Sequence, residues 1–305
     1  MNRDPKLIGH SLALITILMW GMTFISTKLL LETISPVEIL FLRFAIGFIA
    51  LCLLAPIAFK RVVIKHEWYF AAAGLCGVTL YFLLENIALT YTLASHVGVI
   101  VSIVPFFTAI LAHFLLDGEK LNLQFFVGFA IALAGIFLIS FNGNYNLKLN
   151  PLGDLLAIAA AVVWAVYSVL TKKISQFPYS TVQATRKMFF YGLIFMLPVL
   201  AIYGFKPQWG QLVEPLPLFH LIFLGLGASA LCFVTWNSAV KMLGAVKTSV
   251  YIYMVPVVTV IASAIMLKEN ITPAVGIGTL LALAGLLLSE GKFTRGKKKE
   301  AKQQL

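Results

Sequence analysis

The chain has 305 residues, of which 60% are hydrophobic and 11% are charged, and its mean hydropathy is +0.95. A water-soluble domain carries about a quarter charged residues, so this composition excludes one and indicates a lipid environment. The formal net charge is +11, but the lysines and arginines stand in short gaps between apolar segments and in residues 291–305. That distribution is typical of membrane topology signals and does not indicate a nucleic-acid partner.

In chain order, ten stretches approach the roughly 20 mostly apolar residues that a membrane-spanning helix needs. The breaks between them contain proline, glycine, asparagine or charged residues, as turns do. We therefore predict an all-α membrane protein with ten transmembrane helices, over residues 7–27, 36–59, 68–91, 94–116, 122–141, 152–171, 180–204, 217–240, 246–267 and 273–290.

The orientation follows from the basic residues. If the N-terminus is cytoplasmic, sixteen lysines and arginines lie on the cytoplasmic side and four, Lys28, Lys148, Lys206 and Lys268, on the other. Cytoplasmic loops carry the excess of positive charge, so the bias favours this orientation. An even number of helices returns the chain to the same side, and we expect both termini in the cytoplasm of a multi-pass protein of the cell membrane.

Residues of the first half recur in order in the second half, at offsets of 144 to 151. The recurring pairs include Trp20 and Trp164, Lys28 and Lys172, Asn86 and Asn237, Pro105 and Pro256, and Gly135 and Gly285. We predict a five-helix repeat over residues 1–145, an inverted copy over 146–291 because five is odd, and a basic cytoplasmic tail over 292–305. Inverted repeats are the architecture of many secondary transporters, whose substrate site lies near the midplane.

The same residues resemble those of a known family. In the first half they are the segment Ala88-Leu89-Thr90-Tyr91-Thr92 with Ala94-Ser95, the pair Trp20-Gly21, Pro105 and Gly118-Glu119. Their second-half counterparts are Asn237-Ser238-Ala239, Pro256, Lys268-Glu269 and Gly285. Together they are similar to the EamA type of the drug/metabolite transporter superfamily. The resemblance covers residues 7–290. The second copy departs from the pattern where Met242-Leu243 replaces the Tyr-Thr pair and where Ala165 follows Trp164.

The resemblance implies a ten-helix carrier with a central cavity between helices 1–4 and 6–9, and with helices 5 and 10 to the side. It also implies a small-molecule substrate, a metabolite, an amino acid or a toxic compound, that is often moved outward.

Glu85 lies more than ten residues from either end of the third predicted helix. A charge at that depth costs roughly 3 kcal/mol on insertion scales, so it should face the protein interior and have a partner. We expect Glu85 to bind a cationic group or a coupling proton; the alternative is a structural carboxyl group that is hydrogen-bonded to another helix.

Other candidates for substrate binding are polar or aromatic residues at matched depths. Asn86 and Asn237 suit either a pseudo-symmetric site or hydrogen bonds between helices. Trp20 and Trp164 lie deep in helices 1 and 6, where they predict either a ligand platform or core packing. The remaining candidates are Tyr81, Tyr167, Tyr251 and His96. Because Tyr251 and Tyr253 are two residues apart, at most one of them should point inward.

Pro105 and Pro256 fall near the middle of helices 4 and 9, where each removes a helical hydrogen bond. They predict a kink, which either bends during transport or shapes the cavity without moving. Arg43, Arg186 and Lys187 are expected to snorkel towards the headgroups. The alternative for Arg43 is a position that faces the cavity, which would favour anionic substrates over cationic ones. Glu38 is expected to support Arg43 despite its poor i,i+5 spacing.

Neither an enzyme motif nor a metal or cofactor site is apparent: no zincin, nucleophile-elbow or phosphate-loop pattern occurs, and Cys52, Cys76 and Cys232 are widely spaced in apolar segments. The sequence favours a secondary transporter that works by alternating access with proton coupling or exchange, and the family resemblance implies export. A passive facilitator or channel for small solutes is the alternative.

Overall fold

The structure is a computed structural model, and it describes residues 4–54, 63–91, 94–117, 122–141, 150–267 and 272–289. In this part of the chain the regular structure is entirely helical, which confirms the predicted all-α class. The helices are α1 (Pro5–Leu30), α2 (Pro36–Leu54), α3 (Ile64–Tyr91), α4 (Ala94–Val101), α5 (Val104–Leu115), α6 (Leu123–Phe141), α7 (Pro151–Ile174), α8 (Thr181–Tyr203), α9 (Trp209–Leu212), α10 (Pro215–Leu243), α11 (Ala245–Ser249), α12 (Val255–Leu267) and α13 (Pro273–Ser289). A 3₁₀ segment, Val250–Met254, joins α11 to α12.

Six of these helices, α1, α2, α3, α7, α8 and α10, are long and apolar enough to cross a membrane. Four shorter apolar segments correspond to the predicted spans 94–116, 122–141, 246–267 and 273–290. The predicted residues 55–59 and the tail 292–305 lie outside the described residues. The described helices therefore agree with a membrane protein, and the ten crossings, the repeat and the location of the termini stay predictions.

Local sequence signals explain where several helices begin and end. Asp4 caps α1 by accepting a hydrogen bond from the Lys6 amide at 2.9 Å, and Ser180 and Gln183 form a capping box at the start of α8. Proline occupies the first position of α7, α10 and α13. A backbone N–H at this position would have no acceptor within the helix, so its absence from proline costs no helical hydrogen bond. Gly204 and Gly244, with φ of 80° and 96°, end α8 and α10 in a conformation that favours glycine.

Two of the long helices contain a π-helical segment. Leu75–Leu80 interrupts α3, and Phe223–Leu231 interrupts α10. Such segments are rare and are often found at functional sites. The α10 segment packs on α2, and the α3 segment packs on α8 and α7.

The helices pack around a common interior. Helix α1 packs against α10 and α12, and α7 packs against α3 and α5, while α2 contacts α8. Helices α6 and α13 lie against each other in antiparallel order, since Gly128 approaches Gly285 and Gly135 approaches Gly278. Small residues allow this close approach, which van der Waals packing stabilises in the absence of a hydrophobic driving force in lipid.

The contact between α6 and α13 predicts the effect of one added methyl group. A Cβ atom at Gly278 would lie 2.5 Å from the Gly135 carbonyl oxygen and 3.0 Å from the Ile139 amide nitrogen, so both backbones would have to shift. We expect Gly278→Ala to lower the free energy of unfolding by about 1–3 kcal/mol, measured as a lower thermal unfolding temperature in detergent. The matched control is Gly276→Ala on the same helix, where a Cβ would have no neighbour within 4 Å. Equal unfolding temperatures for the two variants would contradict this packing.

Candidate functional site

A cavity lies among the helices and is lined by residues from both halves of the chain. Its empty volume is about 470 Å³, part of it open to solvent. The lining residues are Trp20, Thr23, Phe24, Arg43, Tyr81, Phe82, Glu85, Val101, Trp164, Ile252 and Val255.

Glu85 is one of two charged residues in this lining. It is buried, and its Oε1 accepts a hydrogen bond from the Tyr81 hydroxyl, one helical turn earlier, at 3.1 Å. Arg43, the other charged residue, carries the opposite charge in the same lining. The cavity therefore holds one acidic and one basic group in a largely apolar wall.

Arg43 does not snorkel, contrary to the expectation from sequence. Its side chain is only 2% exposed, and its Nε donates a hydrogen bond to Ser229 Oγ at 3.0 Å. The guanidinium carbon lies 4.5 Å from the centre of the Phe82 ring, within cation–π range. Arg43 lies well inside α2, and Ser229 on α10 provides a hydrogen-bond acceptor for it. The side chain therefore stays in the protein interior.

The other basic residues expected to snorkel also have partners inside the protein. Arg186 is buried, with 4% of its surface exposed. Lys187 forms an ion pair with Glu67, which also accepts a hydrogen bond from the Tyr191 hydroxyl at 2.7 Å. This ion pair links the start of α3 to α8. The partner of Lys187 is therefore a carboxylate of the neighbouring helix rather than a lipid headgroup.

Glu38 was expected to support Arg43, and this expectation is wrong. One carboxylate oxygen of Glu38 accepts hydrogen bonds from the Ser35 amide and hydroxyl at 2.9 and 2.8 Å. The other accepts one from the Lys206 amide at 2.8 Å. Glu38 therefore caps the start of α2 and holds the connection that follows α8, because its position in the first turn directs it away from the cavity.

The two tryptophans at matched repeat positions contact each other. The rings of Trp20 and Trp164 contact edge to face with centroids 5.2 Å apart, and Tyr81 lies 4.6 Å from Trp164. Trp20 Nε1 donates to the Ala228 carbonyl oxygen at 3.0 Å, which fixes its ring against the π-helical segment of α10. Trp164 Nε1 is buried without a hydrogen-bond partner among the described residues.

The paired asparagines lie outside the cavity lining. Asn86 donates to the Pro36 carbonyl oxygen at 3.2 Å and so joins α3 to α2. Asn237 accepts from the Tyr167 hydroxyl at 2.7 Å and donates to Thr185 Oγ1 at 3.0 Å, joining α10 to α7 and α8. Interhelical hydrogen bonding accounts for both asparagines and for Tyr167.

The remaining predicted site residues are distributed as follows. Tyr251 is hydrogen-bonded to His10 at 2.7 Å, and neither it nor Tyr253 lines the cavity, whereas Ile252 between them does. The side chain of His96 lies outside the described residues. Pro105 and Pro256 stand at breaks, since α4 ends before Pro105 and the 3₁₀ segment Val250–Met254 ends before Pro256.

Several lining residues were missed from sequence. Thr23 and Phe24 follow Trp20 by three and four residues, and Phe82 precedes Glu85 by three, so helical spacing from the chosen residues would have found all of them. No sequence pattern indicated Ser229, because its hydrogen bond with Arg43 forms only where α2 packs against α10.

The hydrogen bonds of Asn237 predict a stability effect that is separate from binding. Asn237→Ala leaves the buried Tyr167 hydroxyl without its acceptor, so we expect it to lower the free energy of unfolding by about 1–3 kcal/mol while substrate affinity is unchanged. Unfolding temperature and ligand titration in detergent measure the two quantities, with the neighbouring Ser238→Ala as control. A selective loss of affinity at unchanged stability would assign Asn237 to the substrate site instead.

Comparison with known proteins identifies the family. The EamA-like transporter family matches residues 7–141 and 151–290. A protein of Archaeoglobus fulgidus described as an uncharacterized transporter is 29% identical over 290 residues, covering 93% of this chain and 97% of its own length. A probable terminal-alkyne amino-acid exporter of Streptantibioticus cattleyicolor is 26% identical, covering 94% of both chains.

A solved crystal structure shares the fold, with a TM-score of 0.72 at 23% identity, and the match covers 93% of this chain and 96% of that one. Because the family match spans nearly the whole chain, the cavity belongs to a protein whose relatives are transporters throughout. The chain belongs to the EamA-like transporter family and is a multi-pass membrane transporter of a small molecule.

Proposed function

We propose that this protein is a secondary transporter that exports a small metabolite, an amino acid or a toxic compound across the cell membrane by alternating access. The observation that carries the proposal is the cavity, whose lining combines the oppositely charged Glu85 and Arg43 with the contacting rings of Trp20 and Trp164. A mostly apolar pocket with a few convergent polar groups is the usual form of a small-molecule site.

Glu85 is the proposed coupling group. A buried carboxylate in lipid is expensive to keep charged, so it gains from binding either a proton or a cationic group of the substrate. Binding one displaces the other, which couples their movements in opposite directions. The contacts that support this role are the hydrogen bond from Tyr81 and the attraction to Arg43, because both hold the carboxylate at the cavity wall.

The proposed architecture is the inverted repeat, with residues 1–145 and 146–291 as its copies, ten crossings and both termini in the cytoplasm. The family match to two successive segments, 7–141 and 151–290, supports it. So do the paired π-helical segments in α3 and α10, the breaks before Pro105 and Pro256, and the antiparallel approach of α6 and α13.

The direction of transport rests on a relative. The Streptantibioticus cattleyicolor protein is described as a probable exporter of a terminal-alkyne amino acid. Export driven by exchange for protons agrees with a carboxylate that alternates between a proton and a substrate, so we assign outward movement of substrate to this protein.

The coupling role of Glu85 predicts a specific defect. A metabolite library is first screened for thermal stabilisation of the purified protein, since ligands stabilise the state that they bind. Transport of the best ligand is then measured in proteoliposomes. We expect the wild-type protein to accumulate this ligand against its gradient when a pH gradient is imposed, and Glu85→Gln to lose the response to pH, because an amide does not titrate.

The control is Glu214→Gln, which removes an exposed carboxylate at the start of α10. It should accumulate the ligand as the wild type does. Normal transport by Glu85→Gln with an unchanged dependence on pH would refute the coupling role. Equilibration of ligand by the wild type without accumulation under any ion gradient would identify a passive facilitator.

The break before Pro256 predicts a kinetic effect. Alanine at this position restores a backbone N–H and allows the helix to continue through Val250–Met254. If the break bends during transport, Pro256→Ala should lower turnover by about tenfold, equivalent to about 1.4 kcal/mol on the barrier, while ligand affinity is retained. Pro273→Ala at the exposed start of α13 is the matched control. Equal turnover of the two variants would assign the break a static role.

A further inference from the structure

Arg43 has a hydrogen-bonding group that the protein itself does not use. Its Nη2 atom is buried and has no hydrogen-bond partner among the described residues, although the side chain lines the cavity. A buried guanidinium donor without an acceptor is costly, and such donors in native proteins call for an explanation. The planar guanidinium is the side chain best matched to a carboxylate.

The position of this guanidinium is fixed from two sides. Ser229 Oγ accepts from Nε at 3.0 Å, and the Phe82 ring lies against one face, with its centre 4.5 Å from the guanidinium carbon. With Nε occupied and one face covered, the guanidinium of this cavity-lining residue is held in one orientation.

The backbone around Arg43 is held as closely as its side chain. A Cβ atom at Gly225 would lie 2.6 Å from Ile46 and 3.3 Å from the Arg43 carbonyl oxygen. A Cβ at Gly47 would lie 3.1 Å from the Gly225 carbonyl oxygen and 3.3 Å from the Ser229 Cβ. Helix α2 is thus seated directly on the π-helical segment of α10, which places Ser229 within reach of Arg43.

The charges around Arg43 leave room for a ligand. The titratable groups that act on it are Glu85, Tyr81 and Cys232. Within the described part of the chain no ion pair within 4.0 Å joins Arg43 to Glu85, and the hydrogen bond to Glu85 comes from Tyr81. The guanidinium and the carboxylate are therefore separate attachment points in one cavity.

We propose that Arg43 binds a carboxylate group of the substrate through Nη2, and that Ser229 is the residue that positions Arg43 for this contact. The inference rests on the proposed function, because it names the anionic group of the substrate of that same cavity. The body of the substrate is largely apolar, since most of the rest of the wall is apolar or aromatic and only Thr23 and Tyr81 add hydroxyl groups.

Glu85 sets which carboxylates bind well. It competes with the substrate for the attraction of Arg43, so an acid without a positive group is repelled by Glu85 when that residue is ionised. An ammonium group on the same substrate removes the repulsion. Binding at neutral pH should therefore be stronger for a zwitterion than for the corresponding acid.

Three compounds that share a phenyl group test the assignment by titration of the full-length protein in detergent. They are L-phenylalanine, 3-phenylpropionate, which lacks the ammonium, and 2-phenylethylamine, which lacks the carboxylate. We expect L-phenylalanine to bind most tightly, and Arg43→Gln to weaken its binding by roughly 10- to 100-fold, as loss of a charged hydrogen bond would. We also expect Glu85→Gln to strengthen the binding of 3-phenylpropionate.

Ser229 is tested in the same titration. Ser229→Ala should weaken binding of L-phenylalanine by roughly tenfold, since it frees Nε and the guanidinium loses its orientation. Ser229→Thr, which keeps the hydroxyl, should restore it. The control is Ser249→Ala, which removes a hydroxyl that is bonded to the Val246 carbonyl oxygen at 2.8 Å, away from the cavity lining.

The proposal is overturned if neither carboxylate-bearing compound binds, or if Arg43→Gln binds L-phenylalanine as tightly as the wild type. Counterflow in proteoliposomes separates this failure from failure of the proposed function. Counterflow of L-phenylalanine that is undiminished in Arg43→Gln would refute the carboxylate site and leave the transporter intact. Arg43-dependent binding of L-phenylalanine without transport would refute the transport role and leave the site.

Discussion

Two buried charges of opposite sign, Glu85 and Arg43, occupy one cavity in a chain that is surrounded by lipid. In an interior of low dielectric each charge is stable only with partners, and the rest of the site provides them. Tyr81 donates to the carboxylate, Ser229 accepts from the guanidinium, and Phe82 covers its face. The remaining free donor of Arg43 is the group that we propose binds the substrate.

The contacts of Arg43 and Trp20 depend on how closely α10 packs against its neighbouring helices. Ser229 reaches Arg43 because the π-helical segment of α10 and glycines at 47 and 225 let two backbones approach closely. The same segment carries Ala228, whose carbonyl oxygen holds Trp20 at the cavity wall. One irregular stretch of α10 thus orients both an aromatic ring and a cation, whereas the hydrogen bonds of Asn86 and Asn237 hold neighbouring helices together at a distance from the site.

Hydropathy predicted the helices well because lipid makes the same demand on every spanning segment, about 20 apolar residues with all backbone groups bonded. It also singled out Glu85, since a carboxylate at mid-helix depth has few alternatives to an interior position. The same reasoning failed for Arg43 and Arg186. A long basic side chain can reach either the headgroups or the interior, and the choice depends on whether a neighbouring helix offers a partner.

The sequence by itself determined the helical membrane class, the family resemblance and the polar and aromatic residues from which a site could be drawn, because these depend on composition, order and depth along one chain. Only the tertiary structure decided which of them meet. It brought Trp20, Trp164, Tyr81 and Glu85 to one cavity, left the asparagines and Tyr251 outside its lining, and added Arg43 with Ser229. The physical reason is that Arg43 and Ser229 are 186 residues apart, and their contact exists only where two helices pack at close range.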